Sequence, residues 1–373
     1  MPAQNQDWFK IRNTEDISSP ALLVYPDRVR SNIQRMLDTV GGDASRLCPH
    51  VKTIKTEALI GMMVLSGIKQ FKCATIAEGE IAIKAGAASV LLAIQPTYPN
   101  AKRWLELAKA HPDRSFGTVI DCKETLDELS ALSEQHSVPL RIWIDLNIGM
   151  NRTGIRPGPA AAELAQAIQS SSNLIFGGIH AYDGHLHQPS IAARQESCDA
   201  WHAELKTFIN MLNHRGLKEV SIIAGGTPTF PMQAAKLDFI CSPGTCVLWD
   251  AGYASHYSDL DFSWACVMLA RVISKPSPDL LCLDLGHKAV ASEMSHPRMQ
   301  CLNVKVNEFV SHSEEHLVIR SSDANQFSIG DTIYAIPWHV CPTVALHQYL
   351  HVVENGQAIE QWEVAARNRM ITL

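Results

Sequence analysis

Between residues 45 and 247 short apolar, β-branched runs alternate with longer segments whose apolar positions recur at helical spacing. Eight strands are predicted: RLCPHVK around Cys48, FKCATI around Cys73, SVLLAI around Leu91, SFGTVID around Thr118, RIWIDL around Trp143, LIFGGIHAY around Gly177, VSIIAGG around Ile222 and LDFICSPGT around Ile240. Helical stretches separate most of them, among them AEGEIAIKAGA, AKRWLELAKAH, KETLDELSALSEQ, AAAELAQAIQSS and a long run from Ala193 that meets a stop signal at Gly216. Eight strand-then-helix units in sequence predict an α/β fold, a (β/α)8 TIM-type barrel over residues 20–252. No Gly-x-Gly-x-x-Gly opens the first unit, so a dinucleotide-binding sheet has no support. Beyond Tyr253 the texture changes to strand-like runs punctuated by turn residues, with Asn355-Gly356 as a hairpin signal. Residues 1–19 and 253–373 are therefore expected to form a β-rich domain.

Hydrophobic residues make up 46% and charged residues 19% of the 373 positions, the composition of a folded globular chain long enough for two domains. A net charge of -6 argues against nucleic acid as a partner, since such a surface repels phosphate. No run approaches the 18 or so apolar residues of a membrane span, and the first twenty residues lack a basic stretch followed by an apolar one, so neither a membrane nor a secretory route is expected. Ten scattered cysteines read as reduced thiols in a cytoplasmic protein rather than as a disulfide framework. Asn151-Arg152-Thr153 fits a glycosylation pattern, which has no use in that compartment.

In such barrels the chemistry collects at the C-terminal ends of the strands. At the first, Pro49-His50-Val51-Lys52 places His50 and Lys52 on one strand face, with Lys55 further on. An amine in a barrel mouth is desolvated, which lowers its pKa and suits it to Schiff-base chemistry. The fifth strand leads into Gly149-Met150-Asn151-Arg152-Thr153-Gly154, and the sixth ends in His180-Ala181-Tyr182-Asp183-Gly184-His185. After the seventh and eighth come Gly225-Gly226-Thr227 and Ser242-Pro243-Gly244-Thr245, where backbone N–H groups and hydroxyls suit a phosphate. In the β domain, an extended Pro337-Trp338-His339-Val340-Cys341 would turn His339 and Cys341 the same way, two ligands suited to Zn²⁺ with positions left open for water or substrate. A chance His-x-Cys is the competing reading of so short a motif.

Taken in order, PHVKT, GMNRTG, HAYDGH, GGTPT, SPGT and HVC resemble the D-threonine aldolase / D-serine dehydratase family of fold-type III pyridoxal-phosphate enzymes, across nearly the whole chain. The resemblance implies that Lys52 carries pyridoxal 5'-phosphate as an imine and moves the proton at substrate Cα. It implies that Arg152 lies near the cofactor's phenolic oxygen and Tyr182 near its ring, with His50 and His180 also at the cofactor. Gly225, Gly226, Thr227, Gly244 and Thr245 would hold the phosphate. His339 and Cys341 would bind a divalent metal, Zn or Mn, with His339 also counted as catalytic. A homodimer acting on a small amino-acid substrate is implied as well. Three positions depart from many relatives: Cys48 and Ile54 where Arg and His are common, and Ser242 in place of Arg before Pro-Gly.

The activity implied is metal-assisted cleavage of a D-β-hydroxy amino acid, by retro-aldol reaction to glycine and an aldehyde. The same residues serve dehydration of D-serine, D-threonine or 3-hydroxyaspartate to a 2-oxo acid and ammonia. A racemase shares the fold but needs no His339 and Cys341 pair, and non-catalytic pyridoxal-phosphate carriers lack a β domain.

Overall fold

The computed structural model describes residues 7–236 and 238–372. The chain divides into two compact units. One comprises Gln34–Lys52, Glu57–Gly244 and Asn368–Leu373; the other comprises Met1–Ile33, Thr53–Thr56 and Thr245–Arg367. The strands, in chain order, are β1 (Ala21–Val24), β2 (Gln70–Cys73), β3 (Ser89–Leu92), β4 (Ser115–Ile120), β5 (Leu140–Asp145), β6 (Leu174–Ala181), β7 (Ile222–Ala224), β8 (Phe239–Cys241), β9 (Cys266–Ser277), β10 (Leu280–Leu283), β11 (Met299–Cys301), β12 (Glu308–His312), β13 (Leu317–Arg320), β14 (Thr332–Pro337), β15 (Tyr349–Glu354) and β16 (Gln357–Glu363).

The first unit is the TIM-type barrel. Strands β2 to β8 form one parallel sheet in chain order, and helices such as Ile76–Lys84, Tyr98–Ala110, Lys123–His136 and Pro159–Gln169 connect them. Their near-continuous apolar runs are buried, as parallel strands covered on both faces must be. Local chemistry sets the helix starts: the Thr75 hydroxyl accepts the Glu78 N–H, while the Glu78 carboxylate accepts the Ala74 N–H.

The first predicted strand needs correcting. RLCPHVK is reduced to two isolated parallel bridges, Leu47 with Cys241 and His50 with Lys72. The reason is Pro49, which has no N–H to extend a ladder. Closure survives, because Cys48 N–H donates to Cys241 C=O at 2.8 Å, His50 N–H to Pro243 C=O at 2.9 Å, and Lys72 N–H to Pro49 C=O at 2.9 Å. Inside lies an apolar layer of Cys48, Leu91, Val119, Trp143 and Ile223, with Ile240 beside it. The large indole of Trp143 fits because β6 carries Gly177 and Gly178. A Cβ at Gly177 would fall 2.6 Å from Trp143 Nε1, and at this point the β5–β6 register shifts.

The second unit is built on a sheet in the order β12-β13-β10-β9-β1-β15-β16, with β14 joining β9 to β11. Ala21–Val24, assigned to the barrel from the sequence, is instead an interior strand here: antiparallel to β9, parallel to β15 and buried at all four residues. Phe9, Ile11 and Ile17 enter the same core. Asn355 and Gly356 both have positive φ, 49° and 71°, and close the β15–β16 hairpin as the sequence signal requires.

Gly178 has φ +131°, and a Cβ there would sit 2.1 Å from the Ser221 carbonyl oxygen that β6 already uses through the Ile179 N–H. Gly178→Ala is therefore expected to destabilise the barrel by about 2 kcal/mol or more, through strain and lost β6–β7 pairing. A thermal midpoint equal to that of the parent would contradict this account.

Candidate active site

The barrel unit brings Lys52, Arg152, His180 and Gly226 together around the phenol ring of Tyr182. Lys52 lies in a 3-10 turn, Val51–Thr53, not on a strand, so its N–H folds back toward His50 Nδ1 at 3.3 Å. The expected strand alternation of His50 and Lys52 is thus replaced by a turn, again because the ladder stops at Pro49. Lys52 Nζ stands 6.0 Å from the Tyr182 ring centre and the Arg152 guanidinium 5.2 Å from it.

His180, at the end of β6, is buried, with Nδ1 in hydrogen-bond contact with Asp145 Oδ1 at 2.7 Å. The other Asp145 oxygen accepts from Thr153 Oγ1 at 2.8 Å, which ties down the loop that carries Arg152. Burial works to raise Asp145, but its hydrogen bonds with His180 and Thr153 and the positive charge nearby outweigh it and hold the carboxyl below its usual value. Burial lowers His180 itself, against the opposing pull of Asp145.

One functional group escaped the sequence reading. Lys72, on β2, is 2% exposed; its Nζ donates to Ser242 Oγ at 2.6 Å and lies 3.4 Å from His180 Nε2 and 5.3 Å from the Tyr182 ring centre. Burial, helped by the Lys52 charge and opposed by Cys48, Asp183 and Asp145, pulls its pKa down to about 8. The only signal in the sequence was a lysine inside the apolar run FKCATI. Ser242, noted only as a departure, is its anchor.

The glycine loops are partly self-satisfied. Gly225, at φ +78°, donates its N–H to Ala181 C=O at 3.0 Å, and Gly244 donates to Thr227 Oγ1 at 3.1 Å. Gly226 has no room for a larger residue without pressing on Tyr182, since its Cβ would come 3.2 Å from that ring. Behind them Asp183 accepts from Gln233 Nε2 at 2.8 Å and is pushed up to about 6 by burial. A lysine amine, two further cations, an aromatic face and two hydroxyl-bearing glycine loops form a donor set that fits an anionic, aromatic phosphate ester such as pyridoxal phosphate.

Thr245 belongs to the other unit, where its Oγ1 lies 3.6 Å from Cys341 Sγ. There His339 and Cys341 do not share an extended segment. His339 is the N-cap of helix Val340–Leu346, and Cys341 is in its first turn. Pro342 allows this, since an N–H in a first helical turn has no intrahelical partner; the Val340 N–H is taken by Asp250 Oδ2 at 3.1 Å. The imidazole and thiol are in hydrogen-bond contact, Glu293 holds His339 Nδ1, and Thr53 Oγ1 lies 3.1 Å from Cys341 Sγ. Among the described residues no group of three or more His, Cys, Asp or Glu is arranged to hold a metal. Imidazole plus thiolate remains a donor pair suited to zinc.

Residues 24–248 match the family model for the alanine racemase N-terminal domain, and residues 265–353 the putative serine dehydratase domain. The chain is 26% identical over 368 residues to the 3-hydroxy-D-aspartate aldolase of Paracoccus denitrificans, covering 95% of this chain and 93% of that protein. It is 24% identical over 357 residues to the D-threonine aldolase of an Arthrobacter species, with 94% and 93% covered. A D-threo-3-hydroxyaspartate dehydratase from a Delftia species is 22% identical, with 93% and 97% covered. Among solved structures, the D-threonine aldolase of Filomicrobium marinum superposes with a TM-score of 0.88 at 25% identity, covering 96% of this chain and 98% of that one. The chain belongs to the alanine racemase-like family of pyridoxal-phosphate enzymes, and within it to the lyases of the D-threonine aldolase / D-serine dehydratase group.

Asp183 generates a pH test. A carboxyl raised by folding from an unfolded value near 4 adds stability that is complete below that value and is lost as pH rises through about 6. Asp183→Asn keeps an oxygen for Gln233 and cannot ionise. Its thermal midpoint relative to the parent is expected to rise between about pH 4 and about pH 7. Parallel midpoints across that range would contradict the assignment.

Proposed function

We propose that the protein is a metal-assisted lyase of D-configured β-hydroxy amino acids that cleaves a D-threonine-like substrate between Cα and Cβ, giving glycine and an aldehyde. The observation that carries this is the convergence of Lys52, Lys72 and Arg152 on the Tyr182 ring, a cationic aromatic pocket with an amine at its mouth. Pyridoxal phosphate bound there supplies an electron sink for bonds at the substrate's α-carbon.

In this reading Lys52 would anchor the cofactor covalently and would move the proton at substrate Cα. Arg152, His50, His180 and Tyr182 orient the ring, and Gly225, Gly226, Thr227, Gly244 and Thr245 receive the phosphate. His339 and Cys341 would hold the divalent metal, Zn or Mn, which would acidify or polarise a hydroxyl. Glu293, on His339 Nδ1, fixes which imidazole nitrogen remains for that metal. A homodimer in the cytoplasm completes the proposal.

Dehydration is the second reading, favoured by the match to the Delftia enzyme; the aldolases stand nearer in sequence. The two part at one step: if a base takes the hydroxyl proton, carbon leaves, whereas if Lys52 takes the Cα proton, hydroxide leaves. Product analysis with D-threonine and 3-hydroxy-D-aspartate, pyridoxal phosphate and Mn²⁺ or Zn²⁺, beside a chelator-treated control, separates them. Glycine plus an aldehyde, lost on chelation, is the expected result. Ammonia plus a 2-oxo acid would transfer the assignment to dehydratase, and simple inversion at Cα would overturn both.

Lys52→Ala is expected to remove the visible absorbance of the bound cofactor and to lower turnover by on the order of 10²–10⁴-fold, with Lys55→Ala keeping both. The opposite pattern would reassign the anchoring lysine. Exchanging His339 and Cys341 together for Ala is expected to abolish the metal dependence.

A further inference from the structure

Lys72 is buried beside the Tyr182 ring, whereas Lys52 is half-buried and Arg152 exposed. A lysine buried this completely is costly unless its ammonium is hydrogen-bonded or gives up its proton. Here the nearest partners are the Ser242 hydroxyl, which accepts at 2.6 Å, and the His180 Nε2 at 3.4 Å. Ser242 in turn donates to the Gly225 carbonyl at 2.8 Å, in the glycine loop after β7. On the other side, His180 leads through Asp145 to Thr153, in the loop that carries Arg152. The ammonium therefore links the loop after β7 to the loop after β5 by way of three side chains.

The arrangement dictates the state of His180. An imidazolium would turn an N–H against the Lys72 ammonium, with the Arg152 guanidinium adding to the repulsion. The favourable alternative is a neutral ring with its proton on Nδ1, donated to Asp145, and an Nε2 lone pair that accepts from Lys72. The charged and titratable groups that face Lys72 are Cys48, Lys52, Asp183 and Asp145. Burial pushes the Cys48 thiol up to about 12, so it brings no anion to the lysine at neutral pH.

We propose that Lys72 is a positioning residue of the active site: its buried ammonium anchors Ser242 and fixes His180 as the neutral tautomer protonated on Nδ1. Two consequences follow for any ligand in the pocket. The imidazole beside it has no proton to give from Nε2, and the cation of the inner layer comes from β2, separate from the Lys52 amine. The first part rests on the protein alone; only the effect on a bound ring rests on the pyridoxal-phosphate reading.

The test is a two-bond ¹H–¹⁵N correlation spectrum of histidine-labelled protein, as purified and with pyridoxal phosphate added, with His180 assigned by its absence in His180→Asn. In the parent the ring is expected to be neutral at about pH 7, with the proton on Nδ1. In Lys72→Met that repulsion is gone while burial and Asp145 remain, so the His180 titration is expected to shift upward from that of the parent. Lys72→Arg is expected to restore the parent titration. In addition, the pH dependence of the visible absorbance of the bound cofactor is expected to differ between Lys72→Met and the parent, whose own Lys72 titrates near 8. A parent spectrum with Nε2 protonated overturns the proposal, whether or not any variant folds. An unchanged tautomer and titration in Lys72→Met, or in Ser242→Ala where the ammonium loses its anchor, overturns it as well. Failure to bind pyridoxal phosphate would instead count against the cofactor reading and leave the tautomer result standing.

Discussion

Everything at the barrel mouth depends on the short stretch of chain that closes it. Residues 47–50 take hydrogen bonds from β2 and give them to β8 and the turn that follows it, so both open edges of the parallel sheet are paired. Pro49 lacks an N–H, and the chain leaves the ladder directly after His50. Lys52 therefore rides on a turn at the rim. Lys72 and Ser242, the pair that holds the buried cation, come from the two sides of that same closure, one on β2 and the other just after β8. A longer, regular first strand would have carried the lysine along the barrel wall.

The interior is arranged in layers set by the two-residue period of the strands. Cys48, Trp143, Ile223 and Ile240 belong to an apolar layer, and two residues further along the same strands stand His50, Asp145, Gly225 and Ser242. Each strand thus steps from core to chemistry in one repeat. The indole of Trp143 seals the lower layer, which needs the glycines of β6, and the polar layer above it is desolvated without being empty. In that setting charges survive only in company: Asp145 with His180 and Thr153, Lys72 with Ser242 and His180. The same burial pulls the lysine down to about 8 and lifts Asp183 to about 6, toward the range in which side chains exchange protons at neutral pH.

In the other unit the local logic differs. His339 and Cys341 are set by a helix start, where a cap residue and a first-turn proline change the direction of the chain between two ligands one residue apart. Asp250 supports that start from outside through the Val340 N–H and caps its own helix through the Tyr253 N–H, so one buried carboxylate orders two helix N-termini. Glu293 reaches the imidazole from a loop 46 residues away in sequence. None of this was visible in the motif, which reads equally well as extended chain.

The sequence by itself determined the alternation of strands and helices, the glycine loops after the seventh and eighth strands, the Asn355-Gly356 hairpin and the identity of the residues at the strand ends, because these are local patterns of period, turn chemistry and side-chain type. Tertiary structure alone decided the rest. It moved Ala21–Val24 into the second sheet, since a four-residue apolar strand fits either sheet by pattern and only its partners β9 and β15 choose. It turned PHVK into a bridge and a turn, and it placed a lysine among the hydrophobic residues of β2. Lys72 was illegible because a charged residue in an apolar run reads as an exposed face until the groups that stabilise it are known. Those groups, Ser242 and His180, lie 170 and 108 residues away and meet it only when the barrel closes.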